Sequence, residues 1–584
     1  MASFYDDASL VVIPSGYKTS KVYAQKPTDG SGDLTFTRAS SATRVAPNGL
    51  IEEVRTNLIL RSQDFGNASW NVSNLTKTTG QSDPNNGTTG VLLTSTGTSS
   101  VYLYQTATGA GCMSVYAKAG TRSSFSLIPT NFTNGAFFNL ATQTATASGV
   151  GSLAKIESVG GGWFRCSVAV SSSTNMLFAL TDVNGAGAAI GDTMSFAFAQ
   201  FETGDIATNY IPTTTAAVSV GPVSNVPRLD YLGSSCPRLL LEPQRTNLVT
   251  NSENIGAANW TNYDSTDALN VTATLDPSGY NGADKLQETT ANALHYIAFQ
   301  NNLMAAANTY TFSAFLKAAE RNWGTLYIYD GTSSYNAYFN LATGTKGSVT
   351  SGASSTIESY GNGWYRCSVT RTFGGSSLAN GGIIIATANN TISYTGTTGS
   401  GIYVWGAQVE AGAYATSYIP TLGASVTRVA DAASKTGISS LIGQTEGTLF
   451  VDTNAIPAGA NQSALAITDG TTNNRIWLRF ASNNILNAVF ITNNVVVGAI
   501  NTSIIANNSR MKIAFGYKNS DFALYVNGAL VGSQSSGTLA PSAAFSTVGF
   551  NLFPTQQNHE SPVSQALLFT TRLTNAQLAE LTTL

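Results

Sequence analysis

The chain has 584 residues and a formal net charge of −3, and only 10% of its residues are charged, against about 25% in an ordinary soluble protein. With 42% hydrophobic and 10% aromatic residues it can bury real cores, which excludes a disordered chain, and the lack of basic runs excludes a nucleic-acid surface. No apolar run reaches the roughly 18 residues of a bilayer span, and Met1–Asp7 carries no cationic stretch followed by an apolar one, so the expectation is a protein made in a cytoplasm, without export or membrane insertion.

Residues 1–54 repeat nowhere else. Their apolar Leu10-Val11-Val12-Ile13 needs a partner, and they end in a hairpin signal at Asn48-Gly49. The segment is expected to serve attachment and oligomerisation. From Arg55 the chain says one thing twice. Arg55-Thr56-Asn57-Leu58 returns as Arg245-Thr246-Asn247-Leu248, and Trp70 returns as Trp260. Gly162-Trp163-Phe164-Arg165-Cys166-Ser167-Val168 returns as Gly363-Trp364-Tyr365-Arg366-Cys367-Ser368-Val369, and Tyr210-Ile211-Pro212-Thr213 as Tyr418-Ile419-Pro420-Thr421. Later landmarks of the second copy fall progressively further from their counterparts, as small loop insertions produce. Each copy is far longer than a solenoid repeat of roughly 20–50 residues. The copies are whole domains, 55–215 and 245–422.

Between them, 216–244 reads as a connector hairpin, with Arg228-Leu229-Asp230-Tyr231 and Arg238-Leu239-Leu240-Leu241-Glu242 flanking a Gly233-Ser234-Ser235 turn. Each copy is thus preceded by a hairpin. The first copy is then an insertion into an older module that ran from Val54 to about Asn225, and the two hairpins are expected to pair in one small sheet. Residues 423–444 read as a linker. The last domain, 445–584, contains a hairpin around Asn527-Gly528 and ends in a helix with Thr574 as N-cap. Alternating strands separated by Gly, Ser, Thr and Asn dominate throughout, the pattern of sandwiches and jelly rolls. The expected fold class is all-β: two tandem jelly-roll sandwiches, a C-terminal sandwich and a small β-rich N-terminal segment.

Few side chains suggest chemistry. The four cysteines show no CxxC spacing, and Cys166 and Cys367 read as small buried hydrophobes. The two histidines, His295 and His559, lack counterparts in the repeats. A glycosidase needs two opposed carboxylates, but the matched acids are single per domain, and Glu157 and Glu358 read as structural. No catalytic site and no enzyme are expected. Sugar rings stack on exposed aromatic faces. Trp163 and Trp364, mid-strand beside Cys and Val, read as core. Trp405 aligns with Ala197 and is the better candidate for a glycan contact specific to the second copy. Trp260 and Trp477 are further candidates, with burial in the core as the competing reading for all three.

The C-terminal hairpin and the closing strand before the Leu573-Thr574 helix resemble the concanavalin A-like (laminin-G-type) fold. The repeats resemble carbohydrate-binding jelly rolls, in which an opening Asn-Leu segment precedes a Trp and an acidic residue sits on the last strand. That resemblance implies a structural calcium held by Glu202 with Asn57 and by Glu410 with Asn247, since calcium takes about six to eight oxygens; a hydrogen-bonded glutamate is the alternative. Phe36-Thr37-Arg38-Ala39-Ser40-Ser41-Ala42-Thr43-Arg44, Leu240-Leu241-Glu242-Pro243-Gln244-Arg245-Thr246-Asn247-Leu248 and Thr416-Ser417-Tyr418-Ile419-Pro420-Thr421 resemble phrases of bacteriophage head-fibre, tail-fibre and decoration proteins. The resemblance implies a virion surface protein, self-associating and bound to other virion proteins. It also implies weak adhesion to host or environmental glycans, expected at the loop edge of the C-terminal sandwich. A purely structural decoration protein and a tailspike-like depolymerase are the alternatives.

Overall fold

The computed structural model describes residues 4–584 except 131–133, 181–186, 305–307, 375–378, 455–461, 482–484, 504–508, 542 and 551–560. The chain is all-β. Among the described residues its helical segments are Phe4–Asp7, the 3-10 turn Ser439–Leu441 and Asn575–Leu581. It folds as two compact units, one of Met1–Glu53, Pro222–Ala268 and Asp284–Leu584, the other of Val54–Gly221 with Leu269–Ala283.

The second of these units is built on the first sequence repeat. One six-stranded antiparallel sheet runs Gly151–Gly160, Trp163–Val170, Gly111–Ala119, Thr193–Glu202, Gly90–Ser95, Leu75–Gln81. Its companion has Thr144–Ser148 at one edge and Asn71–Ser73 at the other. The core between them includes Trp70, Phe125, Cys166, Phe178 and Phe196, with Phe178 and Phe196 stacked at 5.3 Å. The second repeat, in the other unit, has the same strand order in both sheets. The register agrees as well: Trp163 lies opposite Lys118 and Cys166 opposite Val115, and Trp364 lies opposite Lys317 and Cys367 opposite Ala314. In each copy the opening Arg-Thr-Asn strand pairs with a strand beyond the end of the sandwich, Arg55–Asn57 with Val218–Val220 and Arg245–Asn247 with Val426–Arg428. Residues 269–283 were expected in the second repeat, but they belong to the unit built on the first. Asn270 Nδ2 donates to Asp205 at 3.4 Å, and the Asn209 N–H donates to the Tyr280 hydroxyl at 3.4 Å.

The C-terminal sandwich draws on much more of the chain than 445–584. Leu10–Val12 pairs with Pro562–Phe569, with Leu10 opposite Leu568. Tyr17–Lys18, Lys21–Val22 and Leu34–Thr37 continue through Ala432–Thr436 into the nine-stranded sheet. The expected separate N-terminal segment is therefore part of this sandwich, and the expected linker 423–444 supplies strands. Period-two alternation explains the fit. Leu10 and Val12 join the core between the sheets, while Val11 turns to the opposite face and packs with Ala8, Phe569 and Leu578. The C-terminal helix begins as its sequence implies, with a capping box between Thr574 and Gln577, and it buries Leu578 and Leu581.

The two small hairpins do meet, but not in a sheet of their own. Among the described residues Arg44–Val45 pairs only with Ile51–Glu52, whereas Arg228–Asp230 and Arg238–Leu240 extend the eight-stranded sheet beside Pro562–Phe569. What joins them is Asp230, which accepts the Val45 N–H at 2.8 Å, and the Tyr231 N–H, which donates to the Val45 carbonyl at 3.0 Å.

Beside this junction three guanidiniums and two carboxylates are buried together. Arg38 reaches Asp431 at 3.1 Å, Arg228 reaches Glu242 at 2.7 Å and also Asp431, and Arg428 reaches Glu242 at 3.0 Å. Carbonyls take further donors: Arg38 donates to Pro222 and Val223 at 2.9 and 2.8 Å, and Arg428 to Pro243 at 3.0 Å. Burial alone would raise the Glu242 carboxyl, but Arg428 and Arg228 reverse this and hold it well below the ordinary carboxylate range. The stabilisation it contributes is therefore complete above its ordinary value of 4.5 and is lost as pH falls below that value. Glu242→Gln should cost about 3–5 kcal/mol at neutral pH, because it strands buried guanidiniums. Thermal unfolding of the intact chain between about pH 3 and 6 should show a shallower acid slope in the variant than in the wild type.

Candidate functional site

The residues singled out in the sequence fall into the frame of the sandwiches. Asn57 donates to the Ala199 and Ile211 carbonyls at 3.1 and 2.8 Å, and its side-chain oxygen accepts the Ile59 and Phe201 N–H groups. Glu202 accepts the Thr208 N–H at 2.8 Å, the Thr208 hydroxyl, and Gln200 at 2.7 Å. The second repeat reproduces the set. Asn247 donates to Ala407 and Ile419 and accepts from Val249 and Val409, while Glu410 accepts from Thr416 and Gln408. These side chains, expected as calcium ligands, are engaged within the fold: the amide nitrogens of Asn57 and Asn247 tie the closing Tyr-Ile-Pro-Thr segment to the opening strand, and the Glu202 and Glu410 carboxylates hold Thr208 and Thr416. Among the described residues no cluster of three or more His, Cys, Asp or Glu side chains could hold a metal ion.

The tryptophans expected to meet glycans are also buried. Trp260 is 6% exposed and donates from Nε1 to the Asn251 carbonyl, as Trp70 does to Arg61. Trp477 is 2% exposed, and the guanidinium of Arg479 lies 4.6 Å from its ring centre. Trp405, also 2% exposed, packs against Phe315 at 5.3 Å and Tyr418 at 4.7 Å. Its lack of a Trp counterpart has a physical cause. Both repeats carry a bulge of positive φ on the last long strand, at Phe198 (φ 54°) and at Gly406 (φ 61°). In the first repeat the side chain at the bulge, Phe198, stacks on Tyr210 at 4.7 Å and meets Tyr116 edge-on at 5.5 Å. In the second the bulge is bare, and the preceding Trp405 fills the equivalent space. The pair Ala197-Phe198 is thus exchanged for Trp405-Gly406. His295 is buried, with Nδ1 2.6 Å from the Asp264 carbonyl, and His559 lies outside the described residues.

An open site lies elsewhere, and it occurs twice. In the unit built on the first repeat, a cleft of about 410 Å³ is walled by the strand carrying Lys155 and Glu157, by Arg165 and by the loop through Asp205 and Asn209. Its far wall is the 269–283 loop, with Asn270 and Tyr280. In the other unit, a cleft of about 580 Å³ uses the equivalent positions of the second repeat, Thr356, Glu358, Arg366 and the loop 413–418. Its far wall is formed by Arg44, Asp230 and Arg238. The arginine is fixed alike in both: Arg165 donates to the Thr208 carbonyl and to Ser114 at 3.2 Å, Arg366 to the Thr416 carbonyl at 2.5 Å and to Ser313 at 3.2 Å. Glu157 pairs with Lys155 at 2.5 Å. Glu358 has neither a hydrogen bond nor an ion pair from its side chain among the described residues. Desolvation in the cleft raises its pKa, opposed by Arg366 and Arg238 and reinforced by Asp230.

In the sequence these glutamates read as structural because they sit just before a glycine turn. The usable signal was the pairing of Lys155-Ile156-Glu157 with Thr356-Ile357-Glu358, in which the intervening residue is retained and the lysine is not. Of the C-terminal domain, on which a glycan site was expected at a loop edge, residues 455–461, 504–508 and 551–560 are outside the described residues.

No family model matches the chain, and no curated protein matches it. Solved structures with some likeness include the CBM40 module of the Ruminococcus gnavus IT-sialidase bound to α2,3-sialyllactose, at 13% identity and a TM-score of 0.23, covering 26% of this chain and 91% of that one. The NanB sialidase of Streptococcus pneumoniae gives 10% identity and a TM-score of 0.22, covering 24% and 25% of the respective chains. A structure of botulinum neurotoxin type C, titled for its interaction with two ganglioside molecules, gives 15% identity and a TM-score of 0.23, covering 26% and 39%.

The bulge exchange is testable in the intact chain. Trp405→Ala should destabilise the second repeat by about 3–5 kcal/mol. Gly406→Phe alone should also destabilise, because a Cβ there would lie 2.8 Å from the Phe315 ring. In the double variant the phenylalanine should recover part of the loss, a coupling of about 1–3 kcal/mol in a double-mutant cycle read by thermal unfolding.

Proposed function

We propose that the chain is a non-catalytic structural protein of a bacteriophage particle surface, made in the host cytoplasm, which holds host or environmental glycans weakly. Its other partners are virion proteins and sister copies. The observation that carries the binding part is the recurrence of one polar cleft at equivalent positions of both repeats, with the same arginine fixed in the same way. The particle-surface part rests on the phrases shared with phage fibre and decoration proteins and on the uncharged, hydroxyl- and amide-rich composition. A weak site on each chain, multiplied over many copies, would raise avidity without any new contact.

The second cleft is lined by three carboxylates, Asp230, Glu242 and Glu358, which bears on the depolymerase alternative. Glu242 is taken by Arg228, Arg428 and Ser417. Both oxygens of Asp230 are taken by backbone donors, the Val45 N–H at 2.8 Å and the Leu232 N–H at 3.1 Å. Glu358 therefore lacks a free opposing partner of the kind that glycoside cleavage requires, and this supports holding rather than cutting.

A glycan array probed with the intact chain, clustered for avidity and run with and without calcium, should show retention on at least one glycan class. The same preparation incubated with host capsule should release no reducing ends. Silence across the array would favour the purely structural reading, and released reducing ends would make the protein a depolymerase.

A further inference from the structure

The two clefts arose by duplication of one site, so each serves as a control for the other. They share the acid, the arginine and a serine, Ser167 in one and Ser368 in the other. They differ at the residues that decide what can enter. In the first cleft Lys155 stands 2.5 Å from Glu157 and neutralises it. In the second, Thr356 stands in the place of the lysine, and the Glu358 side chain has no hydrogen bond or ion pair among the described residues. Leu153 and Ala154 of the first cleft correspond to Ser354 and Ser355, and Ile206 corresponds to Tyr414. Each change replaces an alkyl or charge-quenching group with a hydroxyl or an aromatic ring.

Charge narrows the ligand class. The second cleft is lined by Asp230, Glu242 and Glu358 and by Arg44, Arg238, Lys346 and Arg366. The cations are already engaged: Arg366 with Thr416 and Ser313, Arg238 with the Leu232 carbonyl, Arg44 with Glu52, and Lys346 with the Ser355 carbonyl at 3.4 Å. Groups of both signs face the cleft, so burying a net charge of either sign there would cost more than burying a neutral polar molecule. A carboxylate with both oxygens available accepts two hydroxyl donors at once, and a tyrosine ring offers a flat apolar face beside it. Tyr414 already carries the Arg245 guanidinium at 5.6 Å on its ring, which orders it.

We infer that the cleft of the second repeat is the ligand site, that it takes a neutral sugar unit with two adjacent hydroxyls on Glu358 and the ring lying toward Tyr414, and that the first cleft is closed to the same ligand by Lys155. This inference rests on the glycan-binding reading and specifies where it happens.

The test is affinity electrophoresis of the intact chain through gels containing mannan, galactan, β-glucan or dextran, with retardation as the readout. Thr356→Lys, which transplants the quenching lysine, and Glu358→Gln, which removes the charge at constant shape, should each lower the retardation at least fivefold. Thr356→Ser, the fold control, should retain it. Lys155→Thr, which frees Glu157, should raise it, and unchanged retardation would overturn the closure assigned to Lys155. A wild type that is retarded while Thr356→Lys and Glu358→Gln run identically to it would overturn the site and leave glycan binding standing. A wild type that none of the four polysaccharides retards would overturn the neutral-sugar class itself. Retardation of the two variants lost together with that of Thr356→Ser would assign the loss to strand packing and overturn the role given to Glu358.

Discussion

The larger unit depends on a small set of buried charges. Arg38, Arg228, Glu242, Arg428 and Asp431 come from the N-terminal strands, both arms of the connector hairpin and the exit from the second sandwich, and each is at most 7% exposed at its side chain. Hydrophobic contact is indifferent to direction and would let these segments slide against one another. A guanidinium fork and a carboxylate admit few geometries. Desolvation makes such a cluster a poor source of net stability and an expensive thing to break. Its contribution here is to fix register among strands too short to hold it themselves: Arg228–Asp230 and Arg238–Leu240 have three residues each, below the usual strand length of about five or six.

Inside each sandwich, smaller polar sets do the same work. Asn57, Gln200, Glu202 and Thr208, with their counterparts Asn247, Gln408, Glu410 and Thr416, saturate one another and the nearby backbone. A buried polar group without a partner is costly, so residues of this kind change together or not at all, and that is why they stand out in the sequence. The same prominence invites a ligand-binding reading that their complete mutual satisfaction answers. The residues around the clefts carry no such constraint, and it is there that the two copies have diverged.

What could be read from the sequence was local or duplicated. The Asn48-Gly49 and Asn527-Gly528 turns, the Thr574 cap and the two copies with their boundaries near Arg55 and Arg245 follow from short patterns or from repetition. Pairing across the chain did not announce itself. Nothing near Leu10 points to Leu568, and nothing near Arg38 points to Asp431, because a strand's pattern states which face is apolar and not which neighbour it meets. The exchange of Ala197-Phe198 for Trp405-Gly406 was hidden for another reason: aligned position by position it is two unrelated substitutions, and only the shared bulge makes it one. The loops at Asp83 and Asp276 did not stand out in the sequence, yet in the structure each carboxylate gathers several backbone donors, those of Asn85, Gly87 and Thr89 in one and of Ser278, Tyr280 and Gly282 in the other.

Each sandwich is entered and left through a two-stranded stem, Arg55–Asn57 with Val218–Val220 and Arg245–Asn247 with Val426–Arg428. To the chain on either side, the stem is a tie of constant width, whatever lies beyond it. Lengthening what a closed loop contains costs only about 0.6 kcal/mol per doubling, and a sandwich with its own core repays that by itself. Unequal crossing-over between the two Arg-Thr-Asn-Leu segments would therefore delete or add a complete sandwich together with the connector hairpin that carries Arg228 and Glu242. In a lineage that carries this gene the number of sandwiches can count up or down one at a time, and each step adds or removes two members of the buried charge set.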